Sequence, residues 1–112
     1  MPATAKTTYT RYTLAAVYHL GQLVKLKRIE RRISAAELAQ RLGVARGTLQ
    51  RLERGDTTIA LGIAFEACSL LSIPLFEEDR SRLTARIEDI NKRLALLPKA
   101  ARARAVKLDD DF

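Results

Sequence analysis

Between Ser34 and Gly55 the chain has few ways to fold. Ser34-Ala35-Ala36-Glu37 has the spacing of a capping box: the serine hydroxyl accepts from the Glu37 amide while the glutamate reaches back to the serine amide. Ile33 and Leu38 stand where a hydrophobic staple clamps the same turn. The helix opened there runs into Gly43, the residue type that most readily takes the left-handed φ closing a helix. A second short helix, from about Arg46 to Arg54, stops at Gly55-Asp56. Helices this short bury a core only by crossing closely. Ala39 must then be small at the crossing, Val44 fills the underside of the turn, and Leu38, Leu42, Leu49 and Leu52 face one interior.

The remaining chain reads as helical too. From about Leu14 to Arg32, Val17, Leu20, Val24 and Arg28 fall near one stripe, with Lys25, Lys27 and Arg31 around the other face. Gly21 weakens that helix by about 1 kcal/mol relative to alanine, which points to a close packing contact. A third element, about Ala60 to Leu71, puts Leu61, Ala64, Phe65, Cys68 and Leu71 on one face. Pro74 opens a short turn of helix through Phe76. Residues 80–97 carry Leu83, Ile87, Ile90, Leu94 and Leu97 at alternating spacings of four and three, a seam of two and a half heptads that Pro98 ends. No strand-like alternation and no solenoid-length repeat occurs. The expected organisation is a mobile arm over 1–12, one all-α domain over 13–79, an amphipathic helix over 80–97 and a disordered tail over 98–112.

Charge narrows the partners. The chain of 112 residues has a formal net charge of +7, which makes nucleic acid a live partner. Before Ser34 there are seven Lys or Arg against Glu30 alone, whereas 34–72 and 73–97 are each balanced. A basic, merely soluble surface explains charge alone equally well. Cys68 and His19 are single, so neither an intrachain disulfide nor a metal cluster of ordinary spacing is expected. Each reads as a core or helix-face residue. Neither a phosphate-binding nor a dinucleotide-binding glycine pattern is present, and the carboxylates fall on amphipathic helices or at the chain's end. These observations argue against an enzyme. Lys6 and Arg11 precede an apolar stretch, but His19, Gln22, Lys25 and Lys27 interrupt it without a cleavage site, so a cytoplasmic, nucleoid-associated protein without cofactors is expected.

The segment 34–54 therefore has the features of a helix-turn-helix, and the outward side chains of its second helix are Arg46, Gly47, Gln50, Arg51 and Arg54. Arginine matches guanine O6 and N7, and glutamine matches adenine N6 and N7. Arg46, Gly47, Gln50 and Arg51 are the expected base contacts. Lys25, Thr48, Arg54 and the helix start at Ser34 and Ala35 are the expected phosphate contacts. Lys27-Arg28-Ile29, Glu37-Leu38-Ala39-Gln40 and Leu52-Glu53-Arg54-Gly55 make residues 20–79 resemble the Xre/Cro/C1-type repressor family. That resemblance implies a five-helix, lambda-repressor-like domain and an ion pair between Arg28 and Glu53 that braces the recognition helix, with Arg28 also a phosphate contact. One position departs from it: Ala45 stands where the family usually has Ser or Thr, giving up about 1 kcal/mol of capping and a DNA contact.

Two segments stay open. The 80–97 seam serves a homodimer, setting two recognition helices about 34 Å apart, or folds back as a further helix, or docks another protein. The 109–112 end, Asp109-Asp110-Asp111-Phe112, is a solvated terminus or a partner peptide anchored by Phe112. Together with Pro74-Leu75-Phe76-Glu77-Glu78-Asp79 and Leu97-Pro98-Lys99, it makes the chain similar to HipB-type antitoxins. That similarity implies autorepression and binding of a HipA-like kinase toxin. A stand-alone Xre-type regulator and a protein-binding adaptor on the same fold are the alternatives.

Overall fold

The computed structural model describes residues 8–76 and 79–98. Among them are five helices and no strand: α1 (Arg11–Glu30), α2 (Ala35–Leu42), α3 (Arg46–Glu53), α4 (Leu61–Leu70) and α5 (Arg80–Ala95). The all-α expectation is met. The chain divides after Leu75 into two units, the first holding α1–α4 and the second α5.

Within the first unit α3 packs against both α1 and α2, and α4 packs on α2. Val24, Leu38, Leu49, Cys68 and Leu71 are fully buried, and Ala39, Leu52, Ala64, Ala67 and Ile73 complete the core. Ile33, Leu42 and Val44 pack against its edge, as the staple and the turn require. Burial pushes the Cys68 thiol pKa up, so it stays protonated and acts as a small apolar filler. On α4 the buried face is Ala64, Ala67, Cys68 and Leu71, whereas Leu61, expected inside, is 70 % exposed in the first turn. Small residues at 64, 67 and 68 suit a close approach of α4 to the core, and the contact ends before Leu61.

The helix ends explain the boundaries. α1 begins three residues earlier than expected because Thr10 caps it, its side chain accepting from the Thr13 amide at 3.2 Å. It ends at Glu30, with Arg32 in the left-handed region at φ 58° and the Ile33 amide donating to the Arg28 carbonyl at 3.0 Å. The same six-residue closure recurs three times. Val44 donates to Ala39 past Gly43, Asp56 to Arg51 past Gly55, and Ile73 to Cys68 past Ser72. Arg32 and Ser72 hold a conformation that favours glycine, so these two stops carry no sequence signal. The helical turn expected at 74–76 is absent; bends occupy Leu75 and Phe76. A lone turn fixes three residues for one hydrogen bond and does not stand without help.

At α2 half of the capping box forms. Ser34 Oγ accepts from the Glu37 amide at 3.0 Å, but the Glu37 carboxylate pairs with Arg41 one turn on rather than reaching back. In the second unit Asp79 caps α5 through the Ser81 amide at 2.8 Å. Leu83, Ile87, Ile90, Leu94 and Leu97 are 39–52 % exposed. The arm's residues 1–7 and the tail's 99–112, including Asp109 to Phe112, lie outside the described residues. No helix among the described residues is long and apolar enough to cross a membrane.

Gly21 is where α1 touches α3. A Cβ there would lie 2.8 Å from the Glu53 carbonyl oxygen and closer still to that of Leu52. Both are backbone atoms and cannot swing away. Gly21→Ala gains about 1 kcal/mol of helix propensity but overpacks a contact at about 1–3 kcal/mol. We expect net destabilisation, read as a lower urea midpoint at unchanged m-value.

Candidate nucleic-acid interface

The helix crossing leaves one broad, open depression of about 520 Å³ on the first unit, lined by Lys25, Arg28, Ser34, Ala35, Arg46, Gln50, Glu53 and Arg54. Three elements supply it. α1 contributes Lys25 and Arg28, the start of α2 contributes Ser34 and Ala35, and the α3 region the rest. Seven of these eight residues were expected to contact DNA from sequence. Glu53, the eighth, was expected as the partner of Arg28.

That partnership is the most buried polar feature of the fold. Arg28 Nε donates to Glu53 Oε2 at 2.7 Å and Arg28 Nη2 to Glu53 Oε1 at 3.0 Å, a two-pronged pair. Arg28 Nη1 donates to the Ile33 carbonyl at 3.0 Å. The two side chains are 12 % and 6 % exposed. The hydrogen bonds to Glu53 raise the Arg28 pKa above its ordinary value, against the opposing effect of burial. Arg28 is thus largely committed internally, which leaves it a minor share in any phosphate contact.

With Glu53 neutralised by Arg28, three cations remain around the depression: Lys25, Arg46 and Arg54. None has a carboxylate partner among the described residues. The first-turn amides of α2 add a further positive end, since Ser34 satisfies only that of Glu37. α3 starts at Ala45 without a side-chain cap, the cost expected from the alanine there. Cation and helix end converge on one concave face, with Gln50 projecting into the same space. Such a surface attracts polyanions and offers one amide for base-edge recognition.

Three expected residues stand elsewhere. Gly47 is exposed on α3 with open space before it. Thr48 is half-buried outside the depression, and so is exposed Arg51. Arg51 Nη1 lies 3.4 Å from Asp56 Oδ2, a long, solvent-accessible pair that ties it loosely. Asp56 was expected only as part of the helix stop. Its Oδ1 accepts from the Thr58 amide at 2.8 Å and the Thr58 hydroxyl at 2.6 Å, an aspartate turn that Asp56-Thr57-Thr58 could have signalled. His19 is an exposed helix-face residue whose Nδ1 lies 3.2 Å from Gln22 Oε1. No group of metal-ligating side chains occurs among the described residues.

Two outcomes follow. Arg28→Ala leaves Glu53 a buried, unpaired charge, and breaking such a pair costs about 3–5 kcal/mol. For this partly accessible pair we expect about 3 kcal/mol, measured by denaturant unfolding. The bonds from Thr58, hydroxyl first and then amide, hold the Asp56 carboxyl below its ordinary pKa, with a smaller contribution from Arg51. Its stabilising contribution is present above the unfolded-state pKa and is lost as pH falls through the depressed folded value. In Thr58→Val the Asp56 titration, followed by carbon-detected NMR, should move back up towards the ordinary range.

Compared with known proteins, residues 24–77 match the helix-turn-helix family, which spans α2, α3, α4 and the later part of α1. No curated protein and no solved structure matches the chain. The match covers every residue lining the depression. Residues 24–77 thus carry a helix-turn-helix of the Xre/Cro/C1 type, a fold of DNA-binding transcription regulators.

Proposed function

We propose that this protein is a sequence-specific transcriptional repressor that lays α3 in the major groove of its operator. Arg46 and Gln50 read base edges from the depression, with Gly47 and Arg51 beside them. Lys25, Ser34, Ala35, Thr48 and Arg54 contact phosphates, and Arg28 acts mainly by bracing α3 through Glu53. The convergence of three unpartnered cations, the α2 N-terminus and Gln50 on one concave face carries this reading. A protein-binding adaptor would not need that excess of positive charge around an exposed glutamine.

Two finer assignments accompany it. The exposed seam Leu83, Ile87, Ile90, Leu94 and Leu97 supports a homodimer, because a 16-residue helix with no buried residue gains little stability alone. A dimer would match two half-sites one DNA turn apart. The role of antitoxin and autorepressor to a HipA-like kinase toxin rests on sequence resemblance alone, part of it at Asp109 to Phe112, outside the described residues. Copurification with a kinase-like product of a neighbouring gene tests that role; without such a gene, a stand-alone regulator is the better reading. Nucleoid association follows from operator binding.

The deciding experiment is a salt series of binding to duplex DNA from the protein's own promoter, against scrambled duplex of equal length. Selective binding with a slope of several phosphates is expected. Arg46→Ala and Gln50→Ala should each lose about 1–3 kcal/mol of selectivity, whereas Lys25→Ala should weaken both duplexes alike and reduce the slope by about one. Equal, weak binding to both duplexes would sink the proposal. For the dimer, Ile87→Asp with Leu94→Asp should sediment as a monomer while the wild type sediments as a dimer.

A further inference from the structure

Three of the five glycines are accounted for within the fold. Gly21 admits the carbonyl oxygens of Leu52 and Glu53, and Gly43 and Gly55 take φ values of 73° and 86°. Gly47 is different. It sits in the first turn of α3 at an ordinary helical φ, is exposed, and a Cβ built on it meets nothing within 4 Å. Neither conformation nor packing asks for glycine there, and helix propensity disfavours it. Whatever makes glycine useful at 47 lies outside the described residues.

Its position says what that is. Residues 50 and 51 stand three and four places on, so their side chains flank Gly47 on the α3 surface. Helical side chains lean towards the N-terminus, so the stem of Gln50 leans over the turn that holds 47, while the Arg51 guanidinium turns back towards Asp56. Arg46 is adjacent and lines the depression. Bare backbone ringed by long polar side chains lets a rigid surface come up against the helix while those side chains reach past it. Duplex DNA is such a surface.

We infer that Gly47 is the point of closest approach between α3 and DNA, a positioning residue whose missing methyl sets how deeply the helix seats. The inference rests on the DNA-binding reading above. A methyl at 47 would hold α3 away from the groove and lengthen the contacts of Arg46 and Gln50 together. A larger side chain would do more.

Gly62 supplies the control. It is also an exposed glycine in the first turn of a helix, with nothing within 4 Å of an added Cβ, but it stands on α4 outside the depression. Gly47→Ala, Gly47→Leu and Gly62→Ala are compared by thermal melting and by binding to the promoter duplex and its scrambled counterpart. All three should melt at or above the wild-type temperature, which separates folding from binding. Gly47→Ala should lose about tenfold or more in promoter affinity, the equivalent of one good base contact. Gly47→Leu should lose more, and Gly62→Ala should bind as wild type. Wild-type promoter affinity in Gly47→Ala overturns the inference, and so does an equal loss in Gly62→Ala. If the wild type itself fails to prefer its promoter, the DNA-binding reading fails first and takes this inference with it.

Discussion

A carboxylate at the end of α3 is held nearly out of water by an arginine of α1, and the arrangement of the other helices follows from that pair. Arg28 reaches Glu53 with two parallel hydrogen bonds while a third ties the arginine to the Ile33 carbonyl. One side chain thereby joins the end of α3, the last turn of α1 and the approach to α2. The attraction offsets a considerable desolvation cost, so the pair contributes more to orientation than to net stability. An apolar pair in the same place would bury as well and specify less.

The same contact is secured by backbone. Gly21 lets α1 rest directly on the carbonyls of Leu52 and Glu53, and Gly55 has Tyr18 against it, a Cβ there falling 2.9 Å from Tyr18 Cα. α3 is therefore gripped at its C-terminal end by an ion pair and by two close approaches. Its N-terminal end is held less: Ala45 provides no side-chain cap, and the flanking core contacts are Val44 at the edge and Leu49 inside. The end that carries Arg46, Gly47 and Gln50 projects from a fixed base.

Much of this was legible in the sequence, for reasons that differ by residue. Ser34, Ala39 and Gly43 each satisfy a local demand that admits few residue types, so the α2–α3 crossing could be derived from spacing. The Arg28–Glu53 pair could not; separated by 25 positions, it entered only through family resemblance. The ends expected at about Arg32 and Leu71 came from periodicity alone, because non-glycine residues occupy the left-handed positions at Arg32 and Ser72. Leu61 was misplaced because periodicity fixes an angle around a helix but not where the packing surface ends. Arg51 was grouped with Arg46 and Gln50 from helical geometry, whereas the Asp56-Thr58 turn that holds it depends on a loop conformation. The apolar seam of α5 was plain in the sequence, but which surface covers it depends on chemistry beyond that helix.

Arg46, Gly47 and Gln50 have no tie to the core, while the four helix closures that shape their support are made by main-chain bonds. If α3 reads DNA as proposed, fold and address are written in separate sets of residues. A duplicated gene of this kind can drift in the letters that α3 presents without passing through an unfolded ancestor. Arg28, Glu53 and Gly21, by contrast, must persist as a set. Divergent descendants should then look alike in the interior and unrelated on one helix face, and target choice becomes the most readily inherited novelty of the lineage.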